Sequence, residues 1–505
     1  MNRKAYLMET LLNGEYSGPS QQSITSVVYD SRDVEEGAAF VCISGEKMDG
    51  HLFIEQAIEL GAKTIVGTDQ EKMATASAIN REVSFLYVHD SREALAELAR
   101  VIYDFPSESL YTIGVTGTNG KTTVSSFTYN LLNHLSFRTG LIGTAGIWDD
   151  QQKTTFKQTV PTTPEAPDIH RVLDYFRRSE MKAAVIESTS IAIEQKRLLG
   201  IYFDVAVHTN LTPEHLEFHG TMEAYKEAKL KLFDQAKRAV VNIDDPAMSG
   251  DIIERFQQGP LITYSLSELG DIRADHIQTS IRGTSFTLYA FNKAYNVEAP
   301  IIGEYNVANL LAAIATCYQI GFSIEEILSV VAHIQAPEGR FQVVEHEAPF
   351  QIVLDYAHTP DALASVLEAV RHVPYRKLIV MITGIGLRNP EKRPMMAQVA
   401  DGMADEIIVS VDQPGFADRQ EVVNDVLKGF HHPAATHIHS RLHREEAIHH
   451  AFDLAEPGDV VLLTGIGFGG YQIIGDERVP YSELEVIDDY FENGSLDVEQ
   501  IKEPC

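Results

Sequence analysis

The segment of the 505-residue chain with the most chemical content is Tyr111-Thr-Ile-Gly-Val-Thr-Gly-Thr-Asn-Gly-Lys-Thr-Thr123. An apolar run leads into a turn of Gly117, Thr118, Asn119 and Gly120, and Lys121, Thr122 and Thr123 open an expected helix. Glycines let successive backbone N–H groups converge on phosphate oxygens, and the helix start adds partial positive charge. A lysine neutralises the outer phosphates, and a threonine hydroxyl suits Mg²⁺. Val115 stands where a strict GxxxxGK[ST] loop has its first glycine, yet the strand and helix context predicts nucleoside-triphosphate binding. Such a loop alone leaves kinase, ATPase, GTPase and ligase open. Two more runs end in polar groups where α/β sheets place their ligands: 183–187 stops on Glu187, and 205–209 feeds a loop carrying His215. Together these two side chains can hold a metal ion; singly, each is more often structural.

The elements that must position these groups follow from hydrophobic pattern. Strand-like runs at 26–29, 38–43, 64–66 and 85–88 alternate with helical stretches at 52–60 and 92–103, which reads as a small α/β unit. Almost fully apolar runs at 183–187, 205–209 and 239–242 predict a parallel sheet covered on both faces. A third alternating segment starts near residue 339, with strands expected at 351–354, 377–382, 406–410 and 460–463. The expected fold is α/β in three domains. A small N-terminal domain (1–108) and a Rossmann-like C-terminal domain (337–505) flank a central P-loop parallel-sheet domain (109–336).

Composition narrows the function class. Hydrophobic residues make up 44% and charged residues 22%, values of a folded chain. With 41 Lys+Arg against 72 Asp+Glu the net charge is −31, which argues against nucleic acid and anionic membrane as partners. Cys42, Cys317 and Cys505 lie far apart without CxxC spacing, so neither a zinc site nor a disulfide framework is indicated. The N-terminal segment lacks an apolar run long enough for a signal peptide, and no later stretch reaches membrane-spanning length, so a cytoplasmic protein is expected; separately, the chain is expected to be a monomer. Seven histidines between His431 and His450 show no compelling ligand spacing.

The motifs GTNGKTT at 117–123, Thr162-Thr163-Pro164, ESTSIAIEQKR at 187–197 and TNLTPEHLEFHGTMEAYKEAK at 209–229 resemble the ATPase domain of the Mur ligases. Within that family they are most similar to the branch that adds the third residue of the cell-wall stem peptide. The resemblance extends through Val28-Tyr-Asp-Ser-Arg32, Gly45 and Asp49-Gly-His51 in the N-terminal domain. It continues through Tyr305-Asn306-Val-Ala-Asn309, Gly339-Arg340-Phe341 and Asp355-Tyr-Ala-His358-Thr-Pro-Asp361. It implies an enzyme that uses ATP to activate a carboxylate as an acyl phosphate, then joins it to an amine as an amide, releasing ADP and phosphate. The implied acceptor is a UDP-linked muramoyl peptide, and the implied second substrate an amino acid. By resemblance, Lys121 holds the phosphates, Thr122 and Glu187 one Mg²⁺ and His215 a second. Lys229 matches the lysine that the family carbamylates. Asn306 would contact adenine, Arg340 the phosphates and Asp355 the ribose. Ser31 would hold uridine diphosphate; Thr162, Thr163, Ser190, Gln195 and Arg197 would face the acceptor, and His358, Asp412 and Gly465 fall among the substrate positions.

Departures from the family pattern cluster toward the amine end. The family's SSHA histidine is Ile191, preceded by Thr189, and its DH dipeptide is Glu214-His215. The GxGGxRDxxKRP pattern becomes Gly384-Ile-Gly-Leu-Arg388-Asn-Pro-Glu-Lys-Arg393-Pro. The DNPR signature reads Asp412-Gln-Pro-Gly415, and GKGHE becomes Gly465-Ile466-Gly-Phe468-Gly469. Loss of that arginine removes five donors that would pair with a carboxylate, arguing against meso-diaminopimelate, and loss of the glutamate weakens the case for lysine. A smaller or more apolar amine is expected. A related amide synthetase of a specialised pathway and a non-catalytic nucleotide-binding regulator stay open as alternatives.

Overall fold

The computed structural model describes residues 4–493 except 13, 46–47, 157–159, 161, 258, 268, 281–282 and 466–469. The chain forms two compact units: residues 1–272 with 312–330, and residues 273–311 with 331–505.

The first unit opens with the expected small α/β assembly. Its five-stranded sheet runs Glu15–Ser17, Ser84–Tyr87, Thr64–Gly67, Ala39–Val41, Val27–Val28, parallel except for the first strand. The antiparallel pair Lys4–Leu7 with Gln21–Ile24 was not anticipated, because its polar 21–23 stretch carries no apolar alternation. The helix expected at 52–60 divides into a 3₁₀ turn, Gly50–Phe53, and a helix, Ile54–Glu59. Ser91–Ile102 is capped by the Asp90 carboxylate, which accepts from the Arg92 and Glu93 N–H groups.

The parallel core of the same unit has the order Thr139–Gly143, Ala183–Glu187, Tyr111–Thr116, Val205–His208, Ala239–Asn242, Leu261–Ser265. Gly146–Trp148 adds an antiparallel edge that the sequence pattern did not reveal. Tyr111–Thr116 is central, with Glu187 level with Val115 and His208 level with Thr116. The loops leaving these carboxyl ends are therefore neighbours, whatever their distance in sequence. One face of the sheet is covered by a core that includes Ile169, Val172, Phe176, Ile186, Phe203, Leu232 and Phe233.

In the second unit, Gly283–Ala290 pairs antiparallel with Lys293–Ala299. A six-stranded sheet follows in the order Gln342–Val344, Gln351–Asp355, Val460–Thr464, Leu378–Ile385, Glu406–Asp412, Ile438–Ser440, parallel after its first pair. Its faces are packed by two apolar clusters, one around Val366, Leu367 and Val380, the other around Ile379, Ile448 and Phe452. The acidic tail is helical over Glu483–Asn493; residues 494–505, Cys505 among them, lie outside the described residues. Cys42 and Cys317 are free and buried. No helix among the described residues is long and apolar enough to cross a membrane.

Close packing makes one glycine a sensitive gauge of this arrangement. A Cβ at Gly140 would stand 2.4 Å from the Phe176 ring. Gly140→Ala is expected to cost about 1–3 kcal/mol through overpacking, read as a lowered urea midpoint with an unchanged slope.

Candidate active site

The phosphate loop is shaped by two glycines and fixed by the adjoining strand's loop. Gly117 has φ 151° and Gly120 φ 84°, and a Cβ at Gly117 would stand 1.8 Å from Thr209 Oγ1. Thr209 Oγ1 donates to the Asn119 carbonyl at 2.6 Å, and Asn210 Oδ1 accepts from the Asn119 N–H at 2.9 Å. Thr118 Oγ1 accepts from the Thr212 N–H at 3.0 Å and meets the Tyr225 hydroxyl at 3.2 Å. Thr122 and Thr123 lie in the first turn of Lys121–His134.

Two lysines meet at this loop. Lys121 Nζ donates to the carbonyls of Gly117 and Thr118 at 3.0 and 2.8 Å, and Lys229 Nζ donates to the same Gly117 carbonyl at 2.7 Å. Lys229 reaches inward because Met222–Asp234, capped by Thr221, buries Tyr225, Ala228, Lys229, Leu232 and Phe233 along one stripe. Lys229 is 1% exposed, with Nζ 4.5 Å from the Tyr225 ring centroid. Burial, reinforced by the Lys121 charge and opposed by Glu214, holds its pKa well below the usual lysine range. A neutral amine is the form that reacts with CO₂.

Glu187 is buried beside the loop. Its Oε2 accepts from Thr122 Oγ1 and Thr144 Oγ1, both at 3.1 Å, and its Oε1 from the Thr144 N–H at 2.8 Å. Gly143 makes room for it, since a Cβ there would stand 2.2 Å from Oε1. Thr144 Oγ1 lies 2.9 Å from Thr162 Oγ1, Thr163 Oγ1 donates to the Glu187 carbonyl at 2.6 Å, and Arg197 Nη1 donates to the Thr163 carbonyl at 2.9 Å. Arg197 also pairs with Glu165 at 3.1 Å and Gln195 Oε1 at 2.5 Å. Ser190 Oγ meets His219 Nε2 at 2.9 Å. His215, at φ 55°, is partly exposed, with its ring 6.3 Å from that of Tyr225.

Ser31 lies apart from the phosphate loop, in the small sheet assembly, where its hydroxyl donates to Gln56 Oε1 at 3.0 Å. Nearby, His51 Nε2 accepts from the N–H groups of Thr68 and Asp69, so the ring's proton sits on Nδ1 and is donated to Asp49 at 2.6 Å.

The second unit gathers its own set. Asn306 is buried, donating to the Ile302 carbonyl at 2.9 Å and accepting from Asn309 at 3.3 Å. Arg340 lies 4.3 Å over the Tyr356 ring, and Asp355 accepts from the Phe341 and Ala357 N–H groups at 2.8 Å each. His358 Nδ1 lies 2.9 Å from the Tyr356 carbonyl. Asp412 is fully buried against Arg444, with Nη1 to Oδ2 3.4 Å, and Gly465 packs there: a Cβ would stand 2.8 Å from Nη1. Positions 466–469 of the divergent GIGFG run lie outside the described residues.

Sequence reasoning passed over Thr144, Asn210 and Tyr225. Asn210 and Thr144 each follow a strand's carboxyl end, and Tyr225 stands one helical turn before Lys229. These were the available signals. The histidine-rich stretch forms no metal cluster among the described residues: His439 meets Glu406 at 3.0 Å and stacks edge-on with His450.

A phosphate loop beside a buried strand-end carboxylate, with a buried lysine behind it, defines a P-loop nucleotide-dependent enzyme. The chain belongs to the Mur ligase family. Residues 23–103 match the Mur ligase family catalytic domain, 115–317 the Mur ligase middle domain and 339–467 the Mur ligase glutamate ligase domain. The members of this family are ATP-dependent ligases that form an amide bond. The chain is 36% identical over 490 residues to UDP-N-acetylmuramoyl-L-alanyl-D-glutamate--2,6-diaminopimelate ligase of Bacillus velezensis, covering 95% of this chain and 96% of that one. A solved structure of a ligase of the same name is 29% identical with TM-score 0.66, covering 94% of this chain and 96% of that chain. The MurF ligase of Thermotoga maritima, solved in complex with ADP, shares the fold at TM-score 0.62 and 22% identity, covering 87% and 93%.

Burial pushes the Asp355 carboxyl up to about 6 against the pull of Arg340 and two N–H donors. A raised carboxyl pKa means the folded state holds this proton more tightly than the unfolded chain. Its contribution to stability is therefore present at low pH and lost as pH rises from the ordinary 3.8 through about 6. Asp355→Asn is expected to raise the melting temperature at neutral pH and leave it unchanged near pH 4, followed by thermal unfolding across pH.

Proposed function

We propose that this chain is an ATP-dependent ligase that adds an amino acid to a UDP-N-acetylmuramoyl-dipeptide in cell-wall precursor synthesis. It works as a cytoplasmic monomer, with acceptor, nucleotide and amine domains at 1–108, 109–336 and 337–505. One observation carries the reading. A continuous hydrogen-bonded path runs from Thr122 of the phosphate loop through Glu187 and Thr144 to Thr162, with Thr163 joined to the Glu187 carbonyl and Arg197 joined in turn to the Thr163 carbonyl. Thr122 and Glu187, assigned to the nucleotide's metal, and Thr162, Thr163 and Arg197, assigned to the acceptor, are thus joined along one edge, an arrangement suited to in-line attack of a carboxylate on a γ-phosphate.

Mg²⁺ fits the residues present. One buried carboxylate flanked by two threonine hydroxyls is a hard-oxygen set of the kind that binds Mg²⁺ together with water and phosphate. Thr122 and Glu187 would hold one ion, and His215 with carbamylated Lys229 a second. When bound, they would offset the repulsion between two anions. Lys121 holds the β- and γ-phosphates in place, and Arg197 orients the acceptor. The acceptor carboxylate oxygen bonds to the γ-phosphorus as the bond to ADP breaks. The amine nitrogen then adds to the acyl carbon, phosphate leaves and the nitrogen loses a proton. Asn306, Arg340 and Asp355 are assigned to adenine, phosphate and ribose, and Ser31 to the uridine diphosphate.

The direct test is ADP release from purified protein with Mg-ATP, UDP-N-acetylmuramoyl-dipeptide and an amino acid panel. Release should require both acceptor and amine. Lys229→Arg, which keeps positive charge and cannot be carbamylated, is expected to lower turnover by about two orders of magnitude. Intact mass of the wild-type chain in bicarbonate should show the CO₂ adduct, absent in the variant.

A further inference from the structure

We infer that the amine is an amino acid with an apolar side chain, selected by Leu387 and Phe416. This rests on the ligase reading above, which puts the amine at the 412–416 loop. The two polar positions that distinguish this loop from the family's DNPR pattern are closed to a ligand, each by a different device. Gln413, buried at φ 42°, spends both ends of its amide on backbone: Oε1 accepts from the Ile473 N–H at 2.6 Å and Nε2 donates to the Tyr471 carbonyl at 3.3 Å. At Gly415 the space for a side chain is already filled, because a Cβ would stand 2.3 Å from Leu387 Cδ2, and φ is 56°. The missing arginine has thus left no void; Leu387 occupies its root.

The loop is also stitched in place. The Gly415 N–H donates to the Ile473 carbonyl at 3.0 Å, its carbonyl accepts from the Gly475 N–H at 2.7 Å, and the Leu387 N–H donates to the Gln413 carbonyl at 3.1 Å. What remains facing outward is carbon: Phe416 is 85% exposed, Leu387 52% and Ile474 42%. Single exposed apolar side chains are ordinary. Here Leu387 lies against Gly415, the Phe416 ring lies 3.5 Å from where a Cβ of Gly475 would stand, and Ile474 is bridged to Gly415 through the backbone, so the exposed carbon is gathered at one loop junction. A charged end laid on these carbons loses water, whereas an aliphatic or aromatic group gains from burial.

The test uses two assays on the full-length protein. Hydroxylamine trapping with Mg-ATP and UDP-N-acetylmuramoyl-dipeptide, without amino acid, reports the acyl phosphate independently of amine choice. Absence of hydroxamate overturns the ligase reading and the inference with it. With hydroxamate formed, an amino acid panel is expected to give kcat/KM at least about tenfold higher for leucine, valine or phenylalanine than for lysine or meso-diaminopimelate. Leu387→Ala and Phe416→Ala should raise KM for the preferred amino acid about fivefold or more, with KM for acceptor and ATP unchanged, and Leu387→Met should restore it. Preference for a charged amino acid, or an amino acid KM indifferent to both alanine variants, overturns the inference while leaving the ligase reading intact.

Discussion

A single backbone carbonyl, that of Gly117, accepts hydrogen bonds from two lysines. Both Nζ atoms lie within about 3 Å of one oxygen, so they lie within about 6 Å of each other. Two full positive charges at that separation repel by about 3 kcal/mol even in a well-screened protein environment. Lys229 is buried and its pKa is held well below the usual lysine range, first by burial and then by the Lys121 charge, while Lys121 is only partly buried. The surrounding structure follows from keeping that amine in place. Thr221 starts the helix that presents it, Tyr225 one turn earlier covers it and braces Thr118, and Glu214 supplies a negative charge that acts on it.

Glu187 answers the same demand from the other side. A buried carboxylate needs donors, and three come from Thr122 and Thr144, whose hydroxyls are also metal-compatible oxygens. Gly143 is what permits this approach, and no other residue type fits there without moving the carboxylate. Glu187 is therefore held by the same atoms that would share a cation with it. This preorganises the edge before a nucleotide arrives.

How much of this was legible follows from where each signal lives. The phosphate loop, Glu187 and Lys229 belong to contiguous motifs, and strands such as 183–187 and 239–242 were readable to the residue because parallel strands buried on both faces are uniformly apolar. The antiparallel edge at Gly146–Trp148 is three residues long and half glycine-and-turn in character, so no periodicity announces it. Gln413 was visible only as a departure from a pattern. That its amide is consumed by Tyr471 and Ile473 depends on a contact nearly sixty residues away in the chain, which no local pattern encodes.

The loop proposed to receive the amine shows how its sequence can differ without unravelling the domain. Asp412 does not reach outward; it is buried and tied to Arg444, which also grips Glu483 from the last helix. Burial pushes Glu483 upward while Arg444 pulls it down, and one guanidinium thereby anchors two elements to the sheet edge. Breaking that set would leave a buried charge without its partner, which is strongly destabilising, so positions 412 and 444 are constrained by folding. Positions 413 and 415 are also bound into the fold, Gln413 through the Tyr471 and Ile473 backbone and Gly415 through Ile473 and Gly475, but by neutral hydrogen bonds and not by a buried charge. The asparagine-to-glutamine and arginine-to-glycine differences from the family pattern therefore fall on neutral contacts of the loop and leave the buried set of Asp412, Arg444 and Glu483 in place.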